Sequence, residues 1–257
     1  MVWFAASFHH RSQWLEVRSF DLPSPPWILA HRGASGEAPE NTLESLLLAV
    51  EQGADVVELD LWLTRDGQLV AFHDVELRSG LQRKAAVESL TLYRFRRALK
   101  KSSGIEAPTL QQILQALPKS QPLNFDIKRR SAEPKAIGDA LAAALGTRSQ
   151  VLLSSFDWPL LAELKVRLPG YPLAPIGDRK PAALLAAAIE LESFSLHCHR
   201  KLARRDFLLA AAEAGKPPLV YTINRPFLAR NVLSRGAAGV FTDYPGKLRR
   251  SLEKAAR

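Results

Sequence analysis

Two carboxylates stand two residues apart in the run Val56-Val57-Glu58-Leu59-Asp60-Leu61. A strand sends alternate side chains to opposite faces, so Glu58 and Asp60 point one way and Val57, Leu59 and Leu61 the other. Asn124-Phe125-Asp126-Ile127-Lys128 repeats the pattern, with Asp126 and Lys128 on one face and Phe125 and Ile127 on the other. If the two runs are neighbouring parallel strands, Asp126 lies beside Glu58 and Asp60. Carboxylates gathered in one place are costly unless something positive sits among them. Salt bridges to Arg or Lys would serve two carboxylates. A third favours a divalent cation, and hard oxygen ligands suit Mg²⁺ or Ca²⁺. Lys128 would then face an anion held by that cation.

Two histidines add proton chemistry. His31-Arg32-Gly33 closes an apolar run, and His73-Asp74 closes another. A histidine exchanges protons near neutral pH, and an arginine beside it offers a planar fork for phosphate oxygens. A glycine lets the chain turn sharply after them. Either histidine alone is as well explained by a structural role. Facing each other across a bound phosphodiester, the two would serve as acid and base.

These residues need a frame that brings strand ends together. Short apolar runs read as eight strands: Trp27 to His31, Val56 to Leu61, Leu123 to Lys128, Val151 to Ser155, Tyr171 to Ile176, Phe194 to His197, Leu219 to Asn224 and Gly239 to Thr242. Between them lie helical segments. One opens at Asn41-Thr42-Leu43-Glu44, and others span Pro134 to Leu145, Leu160 to Arg167, Ala182 to Glu190, Arg205 to Ala214 and Pro226 to Ser234. Strands alternating with helices imply parallel pairing and right-handed crossovers. Eight units in 257 residues predict an α/β fold, a (β/α)8 TIM barrel, with the site at the C-terminal ends of the strands. An open doubly wound sheet is the alternative. Asp66-Gly67 between apolar runs predicts a hairpin that returns Leu69 to Phe72 antiparallel to the second strand. Residues of about 62–109 therefore form an insertion. The barrel domain spans 27–257, after an N-terminal leader, 1–26, that ends in Pro23-Ser24-Pro25-Pro26.

Composition narrows the function classes. Hydrophobic residues at 47% and charged residues at 24% describe a globular chain, not a disordered one. One cysteine, Cys198, excludes an internal disulfide framework and a multi-cysteine zinc site, and fits a reducing compartment. The net charge of +9 would draw anions. The basic residues are not interleaved with aromatics as a nucleic-acid stacking surface requires, so no nucleic-acid partner is expected. No apolar run approaches the ~20 residues of a membrane span, and no stable membrane insertion is expected. Trp3, Phe4, Phe8 and Trp14 could touch a membrane surface, but an arm packed on the barrel is the preferred reading, without a signal peptide.

The ordered set His31-Arg32-Gly33, Ala38-Pro39-Glu40-Asn41-Thr42, Glu58-Leu59-Asp60, Asp66-Gly67 and His73-Asp74 resembles the glycerophosphodiester phosphodiesterase family. Pro108-Thr109-Leu110, Asn124 to Lys128, Ser154-Ser155-Phe156, Tyr221-Thr222-Ile223-Asn224 and Gly239 to Pro245 continue the pattern over residues 27–246. The later stretches are most similar to bacterial cytosolic members, which implies a cytoplasmic location. The resemblance implies a TIM barrel and hydrolysis of glycerophosphodiesters, as small-molecule substrates, to sn-glycerol 3-phosphate and an alcohol. It implies one divalent metal on Glu58, Asp60 and Asp126, with His31 and His73 as acid and base. It places Arg32 and Lys128 on phosphate oxygens and Ser155, Phe156, His197 and Tyr221 at the substrate mouth, with Glu40 and Asn41 in support. It also implies attack by the substrate's own glycerol 2-hydroxyl through a cyclic phosphate. Two positions depart from the family pattern. Asp126 stands where glutamate is usual, and Tyr221 where tryptophan is usual. A phospholipase D-like enzyme acting on lysophospholipids and a non-catalytic phosphodiester-binding barrel are the competing readings.

Overall fold

The computed structural model describes residues 20–79 and 83–256. The chain begins β1 (Trp27–Ala30), α1 (Leu43–Glu51), β2 (Val56–Leu63) and β3 (Leu69–Ala71). It continues through β4 (Glu76–Ser79), β5 (Arg83–Ala86), α2 (Leu92–Ser103) and α3 (Leu110–Ala116). From there strands and helices alternate: β6 (Leu123–Ile127), α4 (Pro134–Leu145), β7 (Val151–Ser155), α5 (Trp158–Arg167), β8 (Leu173–Gly177) and α6 (Pro181–Glu190). The last units are β9 (Leu196–His199), α7 (Arg205–Glu213), β10 (Pro218–Tyr221), α8 (Pro226–Ser234), β11 (Gly239–Thr242) and α9 (Pro245–Ala256).

Eight parallel strands close in the order β1-β11-β10-β9-β8-β7-β6-β2, and β2 pairs back onto β1. The sheet is a closed barrel, so the open doubly wound alternative does not hold. The strand nuclei match the eight apolar runs, but only β7 and β11 keep both expected bounds; β2 runs on to Leu63, β8 begins at Leu173 and β9 at Leu196. β9 runs on to His199, and β10 stops at Tyr221.

Strand alternation sorts the side chains into two shells. Outward residues such as Leu59, Leu61, Phe125, Ile127 and Leu153 join helix residues such as Leu46, Ile137 and Leu160 in a buried layer. Leu196, Cys198, Val220 and Val240 do the same under α7 and α8. Inward residues Trp27, Leu29, Val56, Leu219 and Phe241 fill the barrel axis. Phe20 and Leu22 close its lower end, with the Phe20 ring set edge-on to Phe194 at 5.3 Å. This end of the leader therefore packs on the barrel; Trp3, Phe4, Phe8 and Trp14 lie outside the described residues.

Helix starts follow local chemistry. Thr42 and Thr109 each accept from the backbone three residues on, and Ser45 and Gln112 return the bond, so α1 and α3 open with capping boxes. Proline in the first turn opens α4, α5, α6 and α8. The insertion keeps its own small core. β3 runs antiparallel to β2, as Asp66-Gly67 predicts, pairing Leu61 with Ala71. Trp62, Val70, Leu77, Val87, Phe95 and Leu99 then pack β3 and the β4–β5 hairpin under α2. Among the described residues no helix is long and apolar enough to cross a membrane.

Candidate active site

The strand register delivers the carboxylates. Glu58 pairs with Asn124 and Asp60 with Asp126 across β2 and β6, all on the barrel-facing side. Glu58, Asp60 and Asp126 are buried, and each offers an oxygen within 4.8 Å of the others'. They line a cavity of about 300 Å³ at the C-terminal ends of the strands, shared with His31, Arg32, His73 and Lys128.

Arg32 and Lys128 hold Asp60 from two sides. Lys128 Nζ lies 2.9 Å from Asp60 Oδ1 and 2.5 Å from Asp126 Oδ2, and Arg32 Nε lies 3.1 Å from Asp60 Oδ2. Asn41 braces the same carboxylate: its Nδ2 donates to Oδ2 at 2.9 Å, while its Oδ1 accepts from the Asp60 backbone N–H at 3.1 Å. Glu40 accepts from the Arg32 guanidinium at 2.9 Å and is largely exposed. Both expected support residues thus touch the groups they would support. Arg32 and Asn41 adopt left-handed φ values of 57° each, an arrangement uncommon outside glycine. The Arg32 turn directs its backbone N–H to Glu58 Oε2 at 2.7 Å. Gly33 makes that turn possible. Its φ is 82°, and a Cβ there would meet the Ser45 backbone carbonyl carbon at 2.5 Å.

The electrostatics divide the carboxylates. Burial, with the Asp60 charge beside it, pushes Glu58 up to about 8. Burial also raises Asp126, against the pull of Lys128. Burial opposes the charge on Asp60 too, but Lys128 and Arg32 hold it below the usual carboxylate range. Ionising all three would place more negative charge here than the two cations balance, and with burial that mutual repulsion raises Glu58 and Asp126. Asp126 Oδ1 is buried with no hydrogen-bond partner among the described residues. An unmet carboxylate oxygen in an under-neutralised, all-oxygen cluster fits a hard divalent ion.

His31 sits over this cluster. Its Nδ1 meets Asp243 Oδ1 at 2.7 Å, and Asp243 Oδ2 accepts from Asn224 Nδ2 at 2.5 Å. Burial disfavours the imidazolium, but the Asp243 hydrogen bond and the Glu58 charge more than offset it, leaving His31 above its ordinary value. His73 is partly exposed, lines the same cavity, and places Nδ1 3.0 Å from Asp74 Oδ1.

The far side of the cavity is aromatic and apolar. Phe156, Tyr221, His199, Phe241 and Ile176 line it. The Tyr221 ring meets Phe156 edge-on at 6.2 Å and His199 at 5.6 Å, and its hydroxyl donates to the Gly177 carbonyl at 3.0 Å. Phe156 and Tyr221 are thus at the mouth as expected. His197 is deeper, 1% exposed, and burial pushes its imidazole down to about 3.

Of the expected substrate-contacting residues, Ser155 alone does not line this cavity; it lines a neighbouring one with His73, Lys128 and Phe156. In register with Pro175 at the end of β7, it shares the outward face with Leu153. Its hydroxyl donates to the Ile127 carbonyl at 2.6 Å and accepts from the Asp157 N–H at 3.0 Å. Period-two counting from Leu153 gives that orientation directly. Conversely, Asp243, Asn224, His199 and Asn124 belong to the site, and sequence reasoning gives them no role. His199 is legible as the same-face successor of His197, and Asn124 as the same-face predecessor of Asp126.

Residues 31–247 match the model of the glycerophosphoryl diester phosphodiesterase family. The chain belongs to that family. It is an enzyme of the phosphoric diester hydrolase class. A glycerophosphodiester phosphodiesterase of Caldanaerobacter subterraneus is 27% identical over 231 residues, covering 86% of this chain and 95% of the relative. One from Bacillus subtilis is 28% identical over 253 residues, covering 88% and 86%. Among solved structures, an Oleispira antarctica phosphodiesterase in complex with the product sn-glycerol-3-phosphate superposes with a TM-score of 0.79 at 28% identity, covering 90% of this chain and 97% of that one.

Proposed function

We propose that this protein hydrolyses glycerophosphodiesters to sn-glycerol 3-phosphate and an alcohol, using one divalent ion held by Glu58, Asp60 and Asp126. The observation that carries the reading is the unmet Asp126 oxygen inside a buried three-carboxylate cluster that shares one cavity with Arg32, Lys128, His31 and His73. The Oleispira relative's complex with sn-glycerol-3-phosphate supports the product. A bound divalent ion would polarise a phosphoryl oxygen and lower the pKa of a hydroxyl beside it.

The chain's own residues do the rest. Arg32 and Lys128 are fixed by Asp60 and line the cavity, so their charges are in place before substrate arrives, and a divalent ion on the carboxylates would leave them to hold phosphate oxygens. Asp243 accepts from the Nδ1–H of His31, which leaves Nε2 as the atom that gives or takes a proton. His73, tied to Asp74, is the second proton-transfer group. One removes the proton of the attacking hydroxyl and the other protonates the departing alcohol. Attack by the substrate's own 2-hydroxyl gives a cyclic phosphate, and water then opens it to glycerol 3-phosphate with the two histidines in reversed roles.

The test is a panel of glycerophosphodiesters assayed after chelation, with Mg²⁺, Ca²⁺ or Mn²⁺ restored singly and lysophosphatidylcholine included. Metal-dependent release of glycerol 3-phosphate from glycerophosphocholine is the expected result. Strong preference for the acyl-bearing lipid, or tight binding without hydrolysis, would overturn the reading. Early trapping with phosphorus NMR checks the cyclic route, which fails if no competent cyclic glycerophosphate forms. A cytoplasmic location belongs to the same proposal, and fractionation of the source cells tests it.

A further inference from the structure

The floor of the cavity carries polar atoms that the chemistry above does not use. Asn124 precedes Asp126 by two residues on β6 and shares its barrel-facing side. It is 1% exposed and lines the cavity, and neither Oδ1 nor Nδ2 has a hydrogen-bond partner among the described residues. His197 on β9 is also 1% exposed and lines the same cavity. Its Nε2 lies 3.4 Å from Ser195 Oγ, and its Nδ1 has no partner among the described residues. Leaving an amide donor and acceptor unmet in a barrel interior is destabilising. The neighbouring strand carries Leu152 in register with Asn124, so an apolar side chain fits at this level. Packing therefore does not account for the amide.

Both groups are neutral. Burial keeps the His197 ring uncharged through the physiological range. A neutral amide and a neutral imidazole each suit a partner that both donates and accepts, which is the chemistry of a hydroxyl. They offer little to a charged head group, whose natural neighbours are the aromatic wall or the cations higher up. We propose that Asn124 and His197 form a polyol-binding floor that takes the hydroxyls of the glycerol end. It would orient the diester with glycerol inward and the leaving alcohol toward Phe156 and Tyr221. This rests on the glycerophosphodiester reading and adds the residues that select for it.

The experiment compares glycerophosphocholine with bis(4-nitrophenyl) phosphate, a diester without a polyol, in wild type, Asn124→Leu and Asn124→Ser. Asn124→Leu should lower the ratio of the two kcat/KM values by about tenfold or more, as expected for losing hydrogen bonds to the substrate. Its Tm should stay level or rise, because the unmet amide is gone, and affinity for Mn²⁺ should be unchanged. Asn124→Ser keeps a group that donates and accepts, and should recover part of the ratio. An unchanged ratio in Asn124→Leu overturns the proposal. So does a loss of Mn²⁺ affinity that accounts for the fall, since Asn124 would then serve the cation. If the leucine variant does not fold, Asn124→Ala takes its place with the same criteria. A wild-type protein that cleaves bis(4-nitrophenyl) phosphate but no glycerophosphodiester takes down the parent reading instead.

Discussion

The barrel mouth has two unlike halves. At the ends of β1, β2 and β6 stand the three carboxylates with Arg32, Lys128 and His31, tied to one another and to Asp243 by ion pairs and hydrogen bonds, with Asp126 Oδ1 left unmet. On β8 to β11 stand Ile176, His199, Tyr221 and Phe241, which touch mainly ring to ring. The contrast is sharpest between two histidines, His31 partly exposed and His197 buried. His31 has Asp243 and Glu58 near it and is held above its ordinary value. His197 has no carboxylate partner among the described residues, and burial alone drives it down to about 3. Burial by itself therefore removes a histidine from acid–base chemistry, and a fixed carboxylate keeps one in it. On the proposed function, the charged half acts on the phosphate and the aromatic half shapes what sits beside it.

If that division is right, the largest effects belong to the charged half. His31→Ala and His73→Ala should each lower turnover by roughly 10²–10⁴-fold, the usual share of a positioned proton transfer, with the fold retained by circular dichroism. Near-normal turnover at neutral pH in either variant would remove that histidine from the pair.

Asp126 comes next. It is one methylene shorter than the glutamate usual in the family, about 1.5 Å of reach. Metal–oxygen distances of about 2.0–2.1 Å for Mg²⁺ and 2.3–2.6 Å for Ca²⁺ leave no room to stretch across that gap. Asp126→Ala should weaken metal binding by about tenfold or more, while Asp126→Glu should stay active and move preference toward Ca²⁺. Competitive metal titration decides, and unchanged affinity in Asp126→Ala would leave Glu58 and Asp60 to hold the ion without it.

Asp243→Asn tests the contrast between the histidines directly. Without the carboxylate, His31 should titrate lower by NMR and move toward the behaviour of His197, and turnover should fall by about tenfold or more. The sign of the stability effect follows from both partners. His31 is raised in the folded chain, so its contribution is full below the ordinary 6.5 and lost as pH climbs through the folded value. Asp243 is lowered, because its bonds to His31 and Asn224 outweigh burial, so its contribution is full above the ordinary 3.8 and lost as pH falls through the folded value. The Tm gap between wild type and Asp243→Asn should be widest between those two values. A gap flat with pH would mean that the two side chains do not share a proton-linked bond.

Much of this is legible in the chain. Alternation in Val56 to Leu61 and Asn124 to Lys128 gives the carboxylate face without coordinates, because a two-residue period leaves no freedom once one face is apolar. Parity puts Asp60 and Asp126 on one face of parallel neighbours, but their pairing depends on a register, Val57 with Leu123, that the strand starts do not give. Asp66-Gly67 fixes the hairpin. Asp243 is less legible: its bond to His31 joins residues 212 apart, and it depends on β11 closing onto β1, which no local pattern states. At Ser155 strand parity, set by Leu153 packing outward under the helices, puts the side chain in a cavity beside Lys128 and Phe156 and not among the carboxylates. The α2 and β4–β5 insertion is legible only as an interruption, since its short elements hold together by packing on Trp62 and Phe95 and not by strong periodicity.

The smallest effect should come from the aromatic half, and it separates shape from chemistry. Tyr221 brings β10 to β8 across β9 through its hydroxyl, which donates to the Gly177 carbonyl. Its ring touches Phe156, His199 and Phe241. Tyr221→Phe keeps the ring and removes the tie. One neutral hydrogen bond is worth about 1 kcal/mol net. For a chain of this size that is a Tm loss of about 2–4 °C. If the wall acts by shape, kcat should stay within about threefold of wild type and KM should move little, because the hydroxyl is spent on the Gly177 carbonyl and the ring that meets the substrate is unchanged. Tyr221→Trp restores the aromatic usual in the family, again without the hydroxyl, and should behave like Tyr221→Phe in chemistry while testing the room beside Phe156. A drop of about 10²-fold in kcat for Tyr221→Phe at intact Tm would show the hydroxyl acting on the reacting group, and the aromatic half would then be part of the catalytic machinery.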